Sequence, residues 1–224
     1  TSSSPVETGA IATYDWDFDG DNIVDLTGTN ANPTFTYLNF GTFNAKLTVT
    51  TVTGCVHSVV VPVTVDPVPV SDFNFTTVCQ PNATTFNSLA TVATGSIATY
   101  EWEFEPAQLS SLQNPTYTFI NAGTYPVRLK VTTNNGCTDE KIINIVVQPK
   151  PNADFTTADV CFEKFAQFTS TSTLSAGSIV DYRWDFDGNG VSDLTGAAQN
   201  APTFYYAASG TYNVRLIVVT DLGC

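Results

Sequence analysis

The strongest constraint on this chain is that it repeats itself. The string "TYDWDFDGDNIVDLTG" from Thr13 returns as "TYEWEFEPAQ" from Thr99 and "DYRWDFDGNGVSDLTG" from Asp181. Two companions follow each time in the same order. "NPTFTY" at Asn32 becomes "NPTYTF" at Asn114 and "NAPTFYY" at Asn200, and "GTFNAKLTVT", "GTYPVRLKVT" and "GTYNVRLIVVT" start at Gly41, Gly123 and Gly210. Repetition of this kind means one structural unit used several times, so the fold to explain is that of a single copy. "SDFNF" at Ser71 and "NADF" at Asn152 open the second and third copies, and the joints "VDPVPV" and "VQPKPN" separate them. The copies are therefore placed at 1–67, 68–149 and 150–224.

Each copy is built of strands. Phe43, Ala45, Leu47 and Val49 alternate with Asn44, Lys46, Thr48 and Thr50, and Tyr125, Val127, Leu129 and Val131 alternate with Pro126, Arg128, Lys130 and Thr132. That is period two with one buried face. Tyr14, Trp16 and Phe18 share a face in the same way. Short strands between Gly, Pro and Asn turns, at roughly 80 to 90 residues per copy, describe a small all-β sandwich. The match of "VETGAIATYDW" to "LSAGSIVDYRW" starts the first copy without its first two strands, and Cys224 stops the third before its last. With no initiator Met or signal peptide, the expectation is a piece of something larger. Either the array continues, or complementary pieces pair between molecules at the open sheet edges, which would make a self-assembling subunit.

Charge narrows the partners. Eight Lys plus Arg face 21 Asp plus Glu, a net charge of -13. Phosphate backbones need a basic surface, so no nucleic-acid partner is expected. No apolar run reaches the length of a membrane span, so no membrane insertion is expected either. Five Cys in an acidic, Thr-, Asn- and Val-rich chain point to an oxidising, extracellular setting, the alternative being five reduced, buried thiols.

The trio "YxWDFDG", "NPTxxY" and "GTYxVxLxVT" resembles the polycystic kidney disease (PKD) domain over essentially the whole chain. The resemblance implies tandem immunoglobulin-like sandwiches. Where that family usually has Gly after the Phe of the first motif, this chain has Asp19 or Asp187. Runs of such repeats with an early "VC" and a late "NGC" or "LGC" also resemble the giant cell-surface adhesins of gliding Bacteroidota. That second resemblance implies a repeat segment of an exported protein used in motility or attachment.

The candidate site is acidic. Asp17, Asp19, Asp21 and Asp25 occupy relative positions one, three, five and nine, with the Ile23 carbonyl as a further oxygen and Gly20 easing the turn. The third copy repeats this with Asp185, Asp187, Asn189 and Asp193, plus the Val191 carbonyl. Close carboxylates repel without a counter-ion, and oxygen-only donors at this spacing suit calcium, so up to two ions are expected. The alternative is a solvated acidic turn. An EF-hand is excluded by the missing Glu at position twelve and the missing helices, and magnesium prefers fewer protein ligands. The second copy, "EFEPAQ" from Glu103, lacks the glycine and the later acids, so packing does not require them.

No catalytic residue is expected. The acids follow one another in one turn instead of facing each other across a cleft, and His57, the sole histidine, is placed in a turn context with no repeated nucleophile beside it. Asn82 opens "NAT", a sequon that occurs often by chance.

In a sandwich of the implied topology, the early cysteine of a copy lies at one pole and the late one at the other, roughly 20 Å away, while a disulfide reaches about 7 Å between Cα atoms. Consecutive copies meet pole to pole. The expected bond therefore joins neighbours, Cys79 to Cys224, with Cys55, Cys137 and Cys161 paired outside the chain; local pairs Cys79 to Cys137 and Cys161 to Cys224 are the alternative. Metal, disulfide and proline at the joints would together stiffen an elongated rod. The function expected is a non-enzymatic, calcium-stiffened segment of a cell-surface adhesin touching adjacent repeats, surface polysaccharide or other adhesin chains. Its rival is an accessory polysaccharide- or protein-binding module of a secreted hydrolase.

Overall fold

The computed structural model describes residues 10–76 and 79–224, and the described residues hold strands and no helix. The first repeat contributes β1 (Ile11–Asp17), β2 (Leu26–Gly28), β3 (Gly41–Thr51) and β4 (Val56–Val65), hydrogen-bonded in the order β2-β1-β3-β4. The second has β5 (Phe73–Phe75), β6 (Ala83–Ser88), β7 (Ile97–Glu105), β8 (Gln108–Ser110), β9 (Thr116–Thr118), β10 (Gly123–Thr133) and β11 (Thr138–Val147). These make two sheets, β11-β10-β7-β8 and β5-β6-β9. The third has β12 (Phe155–Thr157), β13 (Phe165–Ser170), β14 (Ile179–Asp185), β15 (Leu194–Gly196), β16 (Thr203–Tyr205) and β17 (Arg215–Thr220), in sheets β12-β13-β16 and β15-β14-β17. The architecture is all-β, with immunoglobulin-like sandwiches in tandem. His57 lies within β4, opposite Val49 on β3, and not in the turn its neighbours suggested, because the hairpin closes before it.

The motif tryptophan organises each core. Trp102 meets Phe73 edge-on at 5.0 Å and Phe86 at 5.6 Å. Trp184 repeats this with Phe155 at 5.2 Å and Phe168 at 5.6 Å, and each indole N–H donates across to a carbonyl, of Leu112 at 2.9 Å or Gln199 at 2.8 Å. Both tryptophans are 0% exposed. The partner rings come from the second sheet. The described residues of the first repeat contain no second sheet, and Trp16 there is only half-buried, with its indole N–H 3.4 Å from the Asn30 carbonyl. Residues 1–9, where the alignment of the first copy begins, lie outside the described residues.

β17 is shorter than its counterpart β3 in the first repeat. In the first repeat the residues before Lys46 pair with β4 alone, Gly41 opposite Val65, while β1 reaches only to Lys46. The third repeat has no counterpart of β4 among the described residues, and its strand begins at Arg215, opposite Asp185. Among the described residues, 210–214 lie outside any strand.

Compactness divides the described chain into two units. One holds the first repeat with residues 90–99 and 131–139 of the second; the other holds 71–89, 100–130 and 140–224. Each unit contains one joint between repeats. In the first, Asn135 Nδ2 donates to Asp66 Oδ1 at 2.6 Å. In the second, Cys79 and Cys224 form a disulfide across 145 residues, with Cα atoms 5.6 Å apart.

Candidate functional site

The acidic loop follows β1 and β14 directly. Asp17 and Asp185 end those strands, and both are buried at 4% exposure. Each accepts two backbone N–H bonds from the loop. Asp17 takes Gly20 at 2.7 Å and Asn22 at 3.0 Å; Asp185 takes Gly188 and Gly190, both at 2.8 Å. Asp25 and Asp193 reach back to the amides of Phe18 and Phe186, both at 2.7 Å. Asp19, Asp21, Asp187 and Asn189 each cap the amide two residues on. The acids therefore hold the loop's own backbone amides, which otherwise would lack partners.

Gly20 and Gly188 are required here for two reasons. Their φ values are 81° and 74°, and a Cβ at either would sit 2.9 Å from the carbonyl oxygen of Asn44 on β3 or 2.8 Å from that of Asn213 just before β17. The loop thus turns tightly against β3 in the first repeat and against the entry to β17 in the third. It sits at the pole where β3 begins and β4 ends, while Cys55 lies beyond the other end of β3.

Carboxylate oxygens of Asp17, Asp19 and Asp21 lie within 4.8 Å of one another, as do those of Asp185, Asp187 and Asp193. This is a hard, oxygen-only donor set of the size a calcium ion takes. The two clusters differ in membership: Asp25 stands outside the first group while its equivalent, Asp193, belongs to the second. Asn189 donates through Nδ2 to Asp187 Oδ2 at 2.9 Å. Ile23 and Val191 lie on the rim with side chains 67% exposed and amides bonded to Asp21 and Asn189. Burial pushes the Asp185 carboxyl up, but the amides of Gly190 and Gly188 outweigh it and hold the group below its ordinary range.

Sequence patterning missed two further residues. Tyr37 donates to the Phe18 carbonyl at 3.0 Å and Tyr206 to that of Phe186 at 2.9 Å, pinning the start of each loop. Burial, then Asp19 and Asp25, hold the Tyr37 hydroxyl above its usual range; for Tyr206 the causes are burial, Tyr212, Asp193 and Asp187. The signal was present as an exchange. In the second repeat the equivalent residue is Phe119, fully buried, and the hydroxyl moves to Tyr117, which donates to Glu105 at 2.5 Å and is pushed up to about 12 by burial and that bond. There Glu103, the counterpart of Asp17, turns to Arg128 at 2.8 Å, beside Glu101 and Glu140.

The family model for the PKD domain matches residues 1–66, 64–147 and 147–224 in succession. The chain belongs to the PKD domain family. Among relatives of these PKD repeats, the pre-pro-metalloprotease PrtV of Vibrio cholerae is 29% identical over 134 residues, 58% of this chain and 14% of PrtV. Collagenase ColA of Clostridium perfringens is 28% identical over 95 residues, 38% of this chain and 8% of ColA. The chain thus spans a small part of the length of either relative. Among solved structures, the PKD1 domain of Vibrio anguillarum Epp is 26% identical, with a TM-score of 0.36, covering 38% of this chain and 100% of that one. The PKD1 domain of PrtV is 28% identical, with a TM-score of 0.33, over 37% and 98%.

The cysteines occupy two recurrent settings. Cys79 bridges Gln148, which follows β11, whereas Cys137 precedes that strand; its ten residues span about 34 Å. A bond between Cys79 and Cys137 is out of reach. Cys55, Cys137 and Cys161 are free within the chain.

Proposed function

We propose that this chain is a non-catalytic accessory segment of an exported protein, in which PKD repeats space other parts of the polypeptide and engage a protein or polysaccharide substratum. The observation that supports it most is the kinship of the repeats to short segments of a metalloprotease and a collagenase, where most of the length lies elsewhere. The disulfide joining the second and third repeats fits an oxidising, extracellular compartment. The acidic loops of the first and third repeats are assigned as calcium sites, with Asp17, Asp19 and Asp21 in one and Asp185, Asp187 and Asp193 in the other as the gathered carboxylates. A bound ion would neutralise the carboxylates and tie the loop to the strand end.

A second reading, the structural segment of a cell-surface adhesin serving gliding or attachment, draws on the covalent joint between repeats, since load-bearing arrays gain from cross-links that resist extension. Co-sedimentation separates the two. Saturable retention of the chain by fibrillar collagen or an insoluble polysaccharide supports the accessory role. Failure to co-sediment with any such polymer overturns it in favour of the structural segment.

A further inference from the structure

All three late cysteines sit in one and the same turn. Thr51, Thr133 and Thr220 each donate an amide to the carbonyl of the cysteine four residues on, at 2.9, 2.9 and 2.8 Å, and each accepts that cysteine's amide through Oγ1 at 3.1, 3.1 and 3.0 Å. Gly54, Gly136 and Gly223 complete the turn at φ values of 84°, 85° and 82°. The early cysteines match as well: Asn82 and Lys164 donate their amides to the carbonyls of Cys79 and Cys161. One early and one late cysteine are already bonded, Cys79 of the second repeat with Cys224 of the third. The shared late turn, and the amide contact common to both early cysteines, carry the same rule to the other repeats.

From this we infer that the repeats are joined by a disulfide ladder in which the early cysteine of one repeat bonds the late cysteine of the next, and that Cys161 and Cys55 are its two open ends. Cys161 takes the late cysteine of a following PKD repeat, and Cys55 takes the early cysteine of a preceding one. Exposure agrees with this assignment. Cys55 and Cys161 are exposed, and Cys161 lines an open cavity of about 430 Å³ together with Phe162, Tyr206 and Tyr212. Cys137 is half-buried in the turn whose Asn135 holds Asp66, so the first repeat already occupies the place from which a second copy would reach it.

The bond forms by exchange with a small disulfide such as oxidised glutathione. The thiolate of one cysteine attacks it, releasing one glutathione thiol, and the second thiolate displaces the other, so two cysteines are oxidised as one disulfide is reduced to two thiols. A second copy of the chain is the probe, because its first repeat presents Cys55 as a following repeat would. The chain, with Cys79 and Cys224 bonded, is incubated with oxidised glutathione and examined by non-reducing electrophoresis and peptide mass spectrometry. The expected product is a head-to-tail series carrying Cys55–Cys161 linkages, lost in Cys55→Ser and in Cys161→Ser and kept in Cys137→Ser, with circular dichroism confirming that each variant is folded. Linkages of like type, Cys55 to Cys55 or Cys161 to Cys161, in equal or larger amount would overturn the rule. So would cross-links through Cys137, or monomers carrying only glutathione.

Discussion

Tyr206 donates its hydroxyl to the Phe186 carbonyl at 2.9 Å, and that carbonyl lies between the two aspartates that open the acidic loop. The aromatic core and the loop are thereby one structure. The stack running from Trp184 through Phe186 and Phe204 to Tyr206 carries the loop at its end. Tyr206→Phe leaves the stack intact and removes one hydrogen bond. The expected loss is about 1 kcal/mol of stability, read from the urea midpoint. An unchanged midpoint would show that the loop is held by its carboxylates alone.

Gly188→Ala tests the close approach of the loop to the segment that enters β17. The added methyl meets the Asn213 carbonyl at 2.8 Å on a backbone at φ 74°, so strain and displacement act together. A loss of about 1 to 3 kcal/mol is expected by chemical denaturation. Gly190→Ala, with φ 88° and open space around its Cβ, should lose less, and equal losses would refute the steric part.

Acid should loosen the third repeat's loop in a defined direction. The Asp185 carboxyl is held below its ordinary value of 3.8, so the unfolded chain binds the proton more readily. Its contribution to stability is complete above 3.8 and declines as the pH falls below it. Melting temperature against pH should therefore drop at the acid end, and less steeply in Asp185→Asn. Parallel slopes for the two proteins would remove Asp185 from the account.

Calcium should raise the melting temperature and bind at up to two sites per chain by calorimetry. Saturation at a hundredfold over the dissociation constant would stabilise by about 2.7 kcal/mol per site. Asp19→Ala with Asp187→Ala should abolish both effects while leaving the Asp17 and Asp185 bonds to the loop in place. If the chain takes up no calcium, the acids act only as backbone caps.

Reduction of the Cys79–Cys224 bond releases a constraint across 145 residues. The chain-entropy description puts the effect at about 4 to 5 kcal/mol as an upper figure. Cys224→Ser should lower the melting temperature without dithiothreitol, and the reductant should then have no further effect. A reductant-sensitive melt in that variant would place the stabilising bond elsewhere.

The sequence by itself determined the strand pattern, the recurrence of one unit, the acidic positions and the opposition of early and late cysteines. Each of these follows from local chemistry: period two buries one face, glycine and proline interrupt pairing, and a ten-residue strand keeps its two ends apart. Only the tertiary structure decided what the carboxylates do. Asp17 and Asp185 point into the loop and hold amides that sequence does not show to be in need, while Glu103, one methylene longer, pairs with Arg128. It also decided the part of Tyr37 and Tyr206, because a hydroxyl's partner is set by which carbonyl the folded sheet brings within reach. The core makes the same point: the motif supplies Trp102 and Trp184, and rings of the second sheet, Phe86 and Phe168, supply their burial.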